Sequence, residues 1–160
     1  MCNYFALHYF CPVKVEGLTI DFEKSIGPWL GRTMKMVDYH LNEAFQNAGL
    51  DLTKEQMVVL KKLFEQDGLS QNELASLTYR DKSSLARLLS KMEKKEYIIR
   101  EQDDEDKRVN NVFLTERGRA VFNETRPVIQ KVINRMEHAI SEADKNQIIS
   151  ILKKVQTNLS

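Results

Sequence analysis

Apolar residues recur at helical spacing along most of the chain, and the places where that spacing breaks divide it into elements. From Asp21 to Asn47, the residues Ile26, Leu30, Met34, Val37, Leu41 and Phe45 fall every three or four positions, one stripe along a helix. Gly27 and Pro28 put the regular start near them or kink the segment, and Gly49 ends it. Thr53-Lys-Glu-Gln56 has the form of a capping box, and Met57, Leu60, Leu63 and Phe64 give the helix it opens a buried face. Asp67-Gly68 stops that helix. Ser70-Gln-Asn-Glu73 is a second capping box, opening a short helix with Leu74, Ala75 and Leu77 inward. Asp81 caps a third helix, with Leu85, Leu88, Leu89 and Met92 on one face.

The period then changes. Tyr97-Ile98-Ile99-Arg100 and Val109-Asn110-Asn111-Val112-Phe113-Leu114 are β-rich runs separated by the polar stretch 101–108, which predicts a hairpin with a long charged tip. Thr115 caps a further helix carrying Val121, Phe122, Val128, Ile129, Val132, Ile133 and Met136, with Pro127 expected to bend it or loosen one turn. Ser141-Glu-Ala-Asp144 starts a last helix with Ile148, Ile151, Leu152, Val155 and Leu159 on one stripe. The predicted class is mainly α with a small β-hairpin wing (α+β): a winged helix-turn-helix plus a helical dimerisation region. The expected division is an N-terminal arm of unassigned structure at 1–20, a helical dimerisation region at 21–52 and 119–160, and the winged helix-turn-helix DNA-binding domain at 53–118. The outer stripes are too extensive for one small winged domain to cover, so a homodimer is their expected home.

Charge sharpens this picture only locally. The chain of 160 residues has a net charge of +1, too little to imply a nucleic-acid partner. Between Thr78 and Arg100, however, seven basic residues stand against three acidic ones. A helix that enters the major groove needs short polar side chains near its N-terminus and long cations behind them. Lys82, Ser83, Ser84 and Arg87 fill those places, with Arg80 before them and Lys91 after; Arg87 is the candidate for a bidentate guanine contact. The hairpin tip carries Glu101, Asp103, Asp104, Glu105 and Asp106 against only Lys107 and Arg108. There Asp103 and Asp106 are expected to hold an arginine in place, while Arg108, with Lys107, reaches into the minor groove.

Other chemistries find little support. Cys2 and Cys11 form no Cys-x-x-Cys pair and His8, His40 and His138 are scattered, so no metal site and no cofactor are predicted. No catalytic constellation or phosphate loop is visible, and the chain is not read as an enzyme. No apolar run approaches the roughly 18 residues of a membrane span. The first 17 residues lack a signal peptide's basic start and cleavage site, so a cytoplasmic location without membrane partners is expected.

The order of these elements resembles the multiple-antibiotic-resistance regulator (MarR) family. Leu69-Ser-Gln-Asn-Glu-Leu-Ala is similar to the first helix of that family's motif, and 81–95 resembles its recognition helix. Asp103-x-x-Asp106-x-Arg108 followed by Leu114-Thr115-x-x-Gly118 is similar to its wing signature, and Gly31-Arg32 also fits. Glu96 departs from the pattern, standing where the family usually has Gly, so the recognition helix should be capped differently. The resemblance implies a homodimeric transcription regulator, a repressor, on an inverted-repeat operator in double-stranded DNA. The recognition helix 81–96 would lie in the major groove and the wing 100–113 in the minor groove. It also implies release by a small aromatic or anionic effector; Tyr39 and His40, late in the first long helix, are candidates for lining its pocket, but a solvated or core role is the preferred reading of each, and the effector site is left unassigned. The alternative is a winged-helix module that binds an acidic protein rather than a specific DNA.

Overall fold

A computed structural model describes residues 21–160; the expected N-terminal arm and both cysteines lie outside the described residues. The chain divides into two compact units, Met1–His40 and Leu41–Ser160. In the first, Asp21 caps a 3-10 turn, Phe22–Lys24, before helix α1, Ile26–Asn47, begins. Gly27 and Pro28 fall in the first turn of α1, where a missing N–H costs no hydrogen bond, so they mark a start and not a kink. Ile26, Trp29, Met34, Met36 and Tyr39 of this unit are exposed.

The second unit holds the core. It comprises the end of α1, α2 (Lys54–Glu65), β1 (Leu69–Ser70), α3 (Gln71–Leu77), α4 (Lys82–Lys94), β2 (Ile98–Gln102), β3 (Asn110–Leu114), α5 (Glu116–Met136) and α6 (Glu142–Leu159). Phe45, Val59, Leu60, Leu63, Leu74, Leu89, Met92, Ile98 and Val112 are fully buried in one apolar cluster, which fastens α2, α3 and α4 to the sheet. Every expected N-cap forms. Thr53 and Ser70 make reciprocal capping boxes with Gln56 and Glu73, and Asp81, Thr115 and Ser141 each accept from the backbone N–H three residues on.

The sheet has three strands in the order β1-β3-β2, not the two of a simple hairpin. Leu69 pairs with Val112 and Ser70 with Asn111, antiparallel. Two residues are too short to show a period, and Ser70 serves as both strand end and helix cap. The hairpin itself runs in register from Ile98↔Leu114 to Gln102↔Asn110. Two further expectations are corrected: Leu77 and Phe64 are exposed rather than inward. Leu77 is the last residue of a seven-residue helix, and Phe64 lies instead against the Phe122 ring, centroids 4.8 Å apart.

Gly118 explains why the wing leads into a helix through Leu-Thr-x-x-Gly. Thr115 Oγ1 accepts from Gly118 N at 2.9 Å and donates to the Glu96 carbonyl at 2.6 Å, while Thr115 N donates to the Tyr97 carbonyl at 3.2 Å. A Cβ on residue 118 would stand 2.0 Å from that Tyr97 oxygen, so only glycine lets α5 start against the first residues of the wing. Helix α5 continues without a break through Pro127, where a bend or a loosened turn was expected. Its buried residues all lie in its first half, and no residue of α6 is buried; Met136, Ile140, Ile148, Ile149, Ile151 and Leu159 are exposed.

Candidate nucleic-acid interface

Helix α3, the turn 78–81 and helix α4 form the helix-turn-helix. Asp81 organises the start of α4: its Oδ1 accepts from Ser84 N at 2.8 Å and from the Ser83 hydroxyl at 2.7 Å. These bonds, the Ser83 one foremost, hold the Asp81 carboxyl below the usual carboxylate range. The Ser83 proton is thereby committed, which leaves its oxygen as an acceptor at the exposed front of the helix. Arg80 Nη1 donates to Ser84 Oγ at 3.4 Å, bracing the same corner.

Behind this corner α4 presents two faces. Leu85, Leu89 and Met92 enter the core, whereas Leu88, expected with them, is half-buried. The outer face forms an open groove of about 590 Å³ lined by Arg80, Ser84, Ala86, Arg87, Leu88, Ser90, Lys91 and Lys94. Four of those side chains are cations and none is an acid. The side chains of Lys82, Arg87, Lys91 and Lys94 make no hydrogen bond or ion pair among the described residues.

The remaining two of the seven basic residues are structural. Lys95 Nζ donates to the carbonyl and the carboxylate of Asp51, at 2.8 and 2.7 Å, and Tyr97 Oη donates to the same carbonyl at 3.0 Å. Arg100 pairs with Glu93, and its guanidinium, by that hydrogen bond, holds the Glu93 carboxyl below its usual range. Burial pushes the Tyr97 phenol up. These contacts pin the far end of α4 to the start of α2 and to β2, 44 residues apart in the first case, so nothing local in sequence announces them. The helix spans Lys82–Lys94 rather than 81–96: Lys95 is its cap and Glu96 turns left-handed at φ 58°. Glu96 N bonds to the Glu93 carbonyl and Tyr97 N to that of Met92, a Schellman end built on glutamate where glycine is usual.

At the wing tip Asp103 and Asp106 turn onto the local backbone, while Asp104 and Glu105 are exposed. Asp103 accepts from the N–H of Asp106 and of Glu105, each at 3.0 Å, and from Asn111 Nδ2 at 2.9 Å, and these bonds lower its pKa. Asp103 therefore holds the turn and no arginine, a correction to the expected role. Asp106 does hold one: its Oδ1 accepts from both the backbone N–H and Nε of Arg108, at 3.0 and 3.2 Å. Asp104 pairs with Lys107 at 3.3 Å. Arg108 and Lys107 project from the tip, both exposed.

Tyr39 and His40 stack edge to face, centroids 5.3 Å apart, with Tyr39 exposed. Among the described residues no group of His, Cys, Asp or Glu is placed to hold a metal ion, and no helix is long and apolar enough to cross a membrane.

The profile of the MarR family matches residues 52–109. The HTH-type transcriptional regulator SarZ of Staphylococcus aureus is 33% identical over 103 residues, 64% of this chain and 68% of SarZ. The chain belongs to the MarR family. It is thus a transcription regulator with a DNA-binding winged helix. A MarR-family regulator from Silicibacter pomeroyi superposes with a TM-score of 0.70 at 26% identity, over 86% of this chain and 92% of that one. CouR bound to a 23-mer DNA duplex shares the fold, with a TM-score of 0.77 at 20% identity over 84% and 94% of the two chains. A second CouR structure, from Rhodococcus jostii RHA1 with p-coumaroyl-CoA bound, gives 0.71 at 24% identity over 83% and 92%. Glu96, which stands where the resemblance leads one to expect glycine, keeps a Schellman geometry.

Proposed function

We propose that this MarR-family chain is a cytoplasmic homodimeric repressor that binds an inverted-repeat operator. The outer face of α4 enters the major groove, Arg87 reads a base edge, Ser83 and Ser84 allow close approach, and Arg80, Lys82 and Lys91 meet phosphates. Arg108 and Lys107 serve the minor groove, with Asp103 and Asp106 shaping the tip. The observation that carries this is the groove along α4, lined by four cations without an acid. Cations left unpaired on one helix face, while two neighbours on the same segment are tied down, match a polyanionic partner. The exposed apolar residues of α6 and of the end of α5 support dimerisation through 21–52 and 119–160, which sets two recognition helices about one helical turn of DNA apart. CouR has been solved with a DNA duplex and with p-coumaroyl-CoA, and the corresponding reading here is release from DNA by a small aromatic or anionic effector.

Selection of binding sites from a random duplex library tests the proposal. The recovered site should have two-fold symmetry with half-sites ~10 bp apart, and affinity should fall steeply as salt rises. A selected site without symmetry, or a monomer at micromolar concentration with helices intact, overturns it.

A further inference from the structure

Tyr79 stands in the turn of the helix-turn-helix and combines two unfavourable features. Its φ is 51°, in the left-handed region where a Cβ crowds the following carbonyl. The geometry is imposed by hydrogen bonds from Tyr79 N to the Ser76 carbonyl at 3.1 Å and from Arg80 N to the Ala75 carbonyl at 2.9 Å, a helix end that glycine usually closes. The side chain is 99% exposed, so no packing offsets the strain. The other two described non-glycine residues at positive φ differ: Ala139 is small, and the Glu96 carboxylate is paired with Arg117 at 2.9 Å. A large aromatic ring kept both strained and bare is not explained by folding, and such outliers concentrate where a partner is met.

The position of the turn narrows the partner. In a helix-turn-helix the first helix crosses the DNA backbone and the start of the second lies at base edges, so the turn between them sits on the lip of the groove. Arg80, Asp81, Lys82 and Ser83 follow Tyr79 in the chain, and the Asp81 carboxylate is turned onto Ser83 and Ser84, so the free charges beside the ring are those of Arg80 and Lys82. We propose that Tyr79 is a DNA-backbone contact: its phenol donates to a phosphate oxygen at the groove edge and its ring lies against the adjoining deoxyribose. This rests on the reading that α4 enters duplex DNA. Such a contact fixes register without reading sequence. Being neutral, it displaces no counterion, unlike a lysine at the same phosphate.

The test measures affinity of the full chain for the selected operator duplex and for a random-sequence duplex of equal length. Tyr79→Phe should weaken both by about tenfold, the low end for the loss of one hydrogen bond to a charged group. Tyr79→Gly should weaken both by about ten- to thirtyfold while raising the melting temperature, since it removes contact and strain together. The dependence on salt should keep its slope in both variants, whereas Lys91→Ala should lower it by about one. Wild-type affinity in Tyr79→Gly, alongside a loss in Arg87→Ala, overturns this contact and leaves the DNA reading intact. A loss confined to the selected duplex, or one accompanied by a lower melting temperature in Tyr79→Gly, also overturns it. No salt-dependent binding of either duplex by the wild type overturns the DNA reading itself.

Discussion

At the start of α4 and at the tip of the wing, an aspartate folds back onto backbone N–H groups a few residues ahead, yet the two surfaces that result are opposite. Asp81 turns its carboxylate onto Ser83 and Ser84, which hold it ionised at the helix N-terminus, and what projects outward is Lys82, Arg87, Lys91 and Lys94. Asp103 is held by neutral donors in the same way, Asp104 and Asp106 pair with Lys107 and Arg108, and Glu101 and Glu105 stay exposed beside them. Net charge by segment hides which helix cations are free, since among the described residues only Lys95 and Arg100 have acid partners, while in the wing the pairs Asp104–Lys107 and Asp106–Arg108 leave Glu101, Asp103 and Glu105 negative. What a DNA phosphate meets is the charge left after internal pairing, and on that measure the helix is an anchor and the wing an acidic edge that carries two cations at its tip.

Both elements hang from one joint, and breaking it has the largest expected effect. The Tyr97 carbonyl receives Thr115 N and faces Gly118. Gly118→Ala must move either β2 or α5 and should destabilise the protein by about 3 kcal/mol or more. Chemical denaturation would show this as a lower midpoint, and DNA binding would fall on all sequences alike. An unchanged midpoint would mean that α5 shifts without resistance.

Arg87→Ala comes next and separates reading from anchoring. It should cost about 1–3 kcal/mol of binding on the selected site, flatten preference at one base pair per half-site, and leave stability unchanged. Equal losses on point variants and on random duplex would reassign Arg87 to a phosphate. Asp81 tests the same helix from its capped end. Asp81→Ala should cost about 1 kcal/mol of stability through loss of the cap, and Asp81→Asn much less, because asparagine also caps. The folded pKa of Asp81 is lowered, as are those of Asp103 and Glu93. Their contribution is present above the unfolded value of about 4 and is lost as pH falls through the folded ones. Melting temperature should thus drop more steeply below pH 4 in the wild type than in Asp81→Asn. Parallel curves would refute a pH-sensitive cap. On the wing, Arg108→Ala should cost under about 1 kcal/mol, since Arg108 must first leave Asp106, and the loss should track A·T content beside the half-site. No loss on any duplex would reduce the wing to a solvated hairpin.

What was legible beforehand was local. Five N-caps could be named because each depends on residues three apart, and period gave Leu60 and Leu63 in α2 and Leu85, Leu89 and Met92 in α4, though it missed Val59 and wrongly turned Phe64 inward. The pairings that decide which cations face DNA span longer distances: Lys95 with Asp51, and Arg100 with Glu93 across a strand start. Periodicity is blind to these, so the sequence placed Arg80, Lys82, Arg87 and Lys91 toward DNA without revealing what Lys95 and Arg100 hold. The strand β1 was hidden by its two-residue length, and the exposure of Leu77 by its place at a helix end. The role of Asp103 was misjudged because an acid near an arginine suggests an ion pair, whereas a turn offers three closer donors.

The smallest effect concerns the residue that joins the two elements. Glu96 holds φ 58° at the end of α4, a conformation costing a non-glycine residue roughly 1–2 kcal/mol. Its carboxylate bonds to Arg117 at 2.9 Å, but both side chains are largely exposed, and such pairs contribute about 0–1 kcal/mol. Glycine relieves the strain yet gives the unfolded chain more freedom, worth roughly 0.5–1 kcal/mol. The terms nearly cancel, leaving Glu96→Gly more stable than wild type by about 0.5 kcal/mol, a rise of about 1–2 °C in melting temperature. Glu96→Ala removes the ion pair and keeps the strain, so it should melt below wild type. The gap between the glycine and alanine variants, about 1 kcal/mol, isolates the backbone contribution from the ionic one. DNA affinity should not change in either, because Glu96 lies beyond the cationic face of α4. If glycine proves no more stable than alanine, the left-handed turn is not strained, and the joint between helix and wing owes its shape to the contacts of Thr115 and Tyr97 alone.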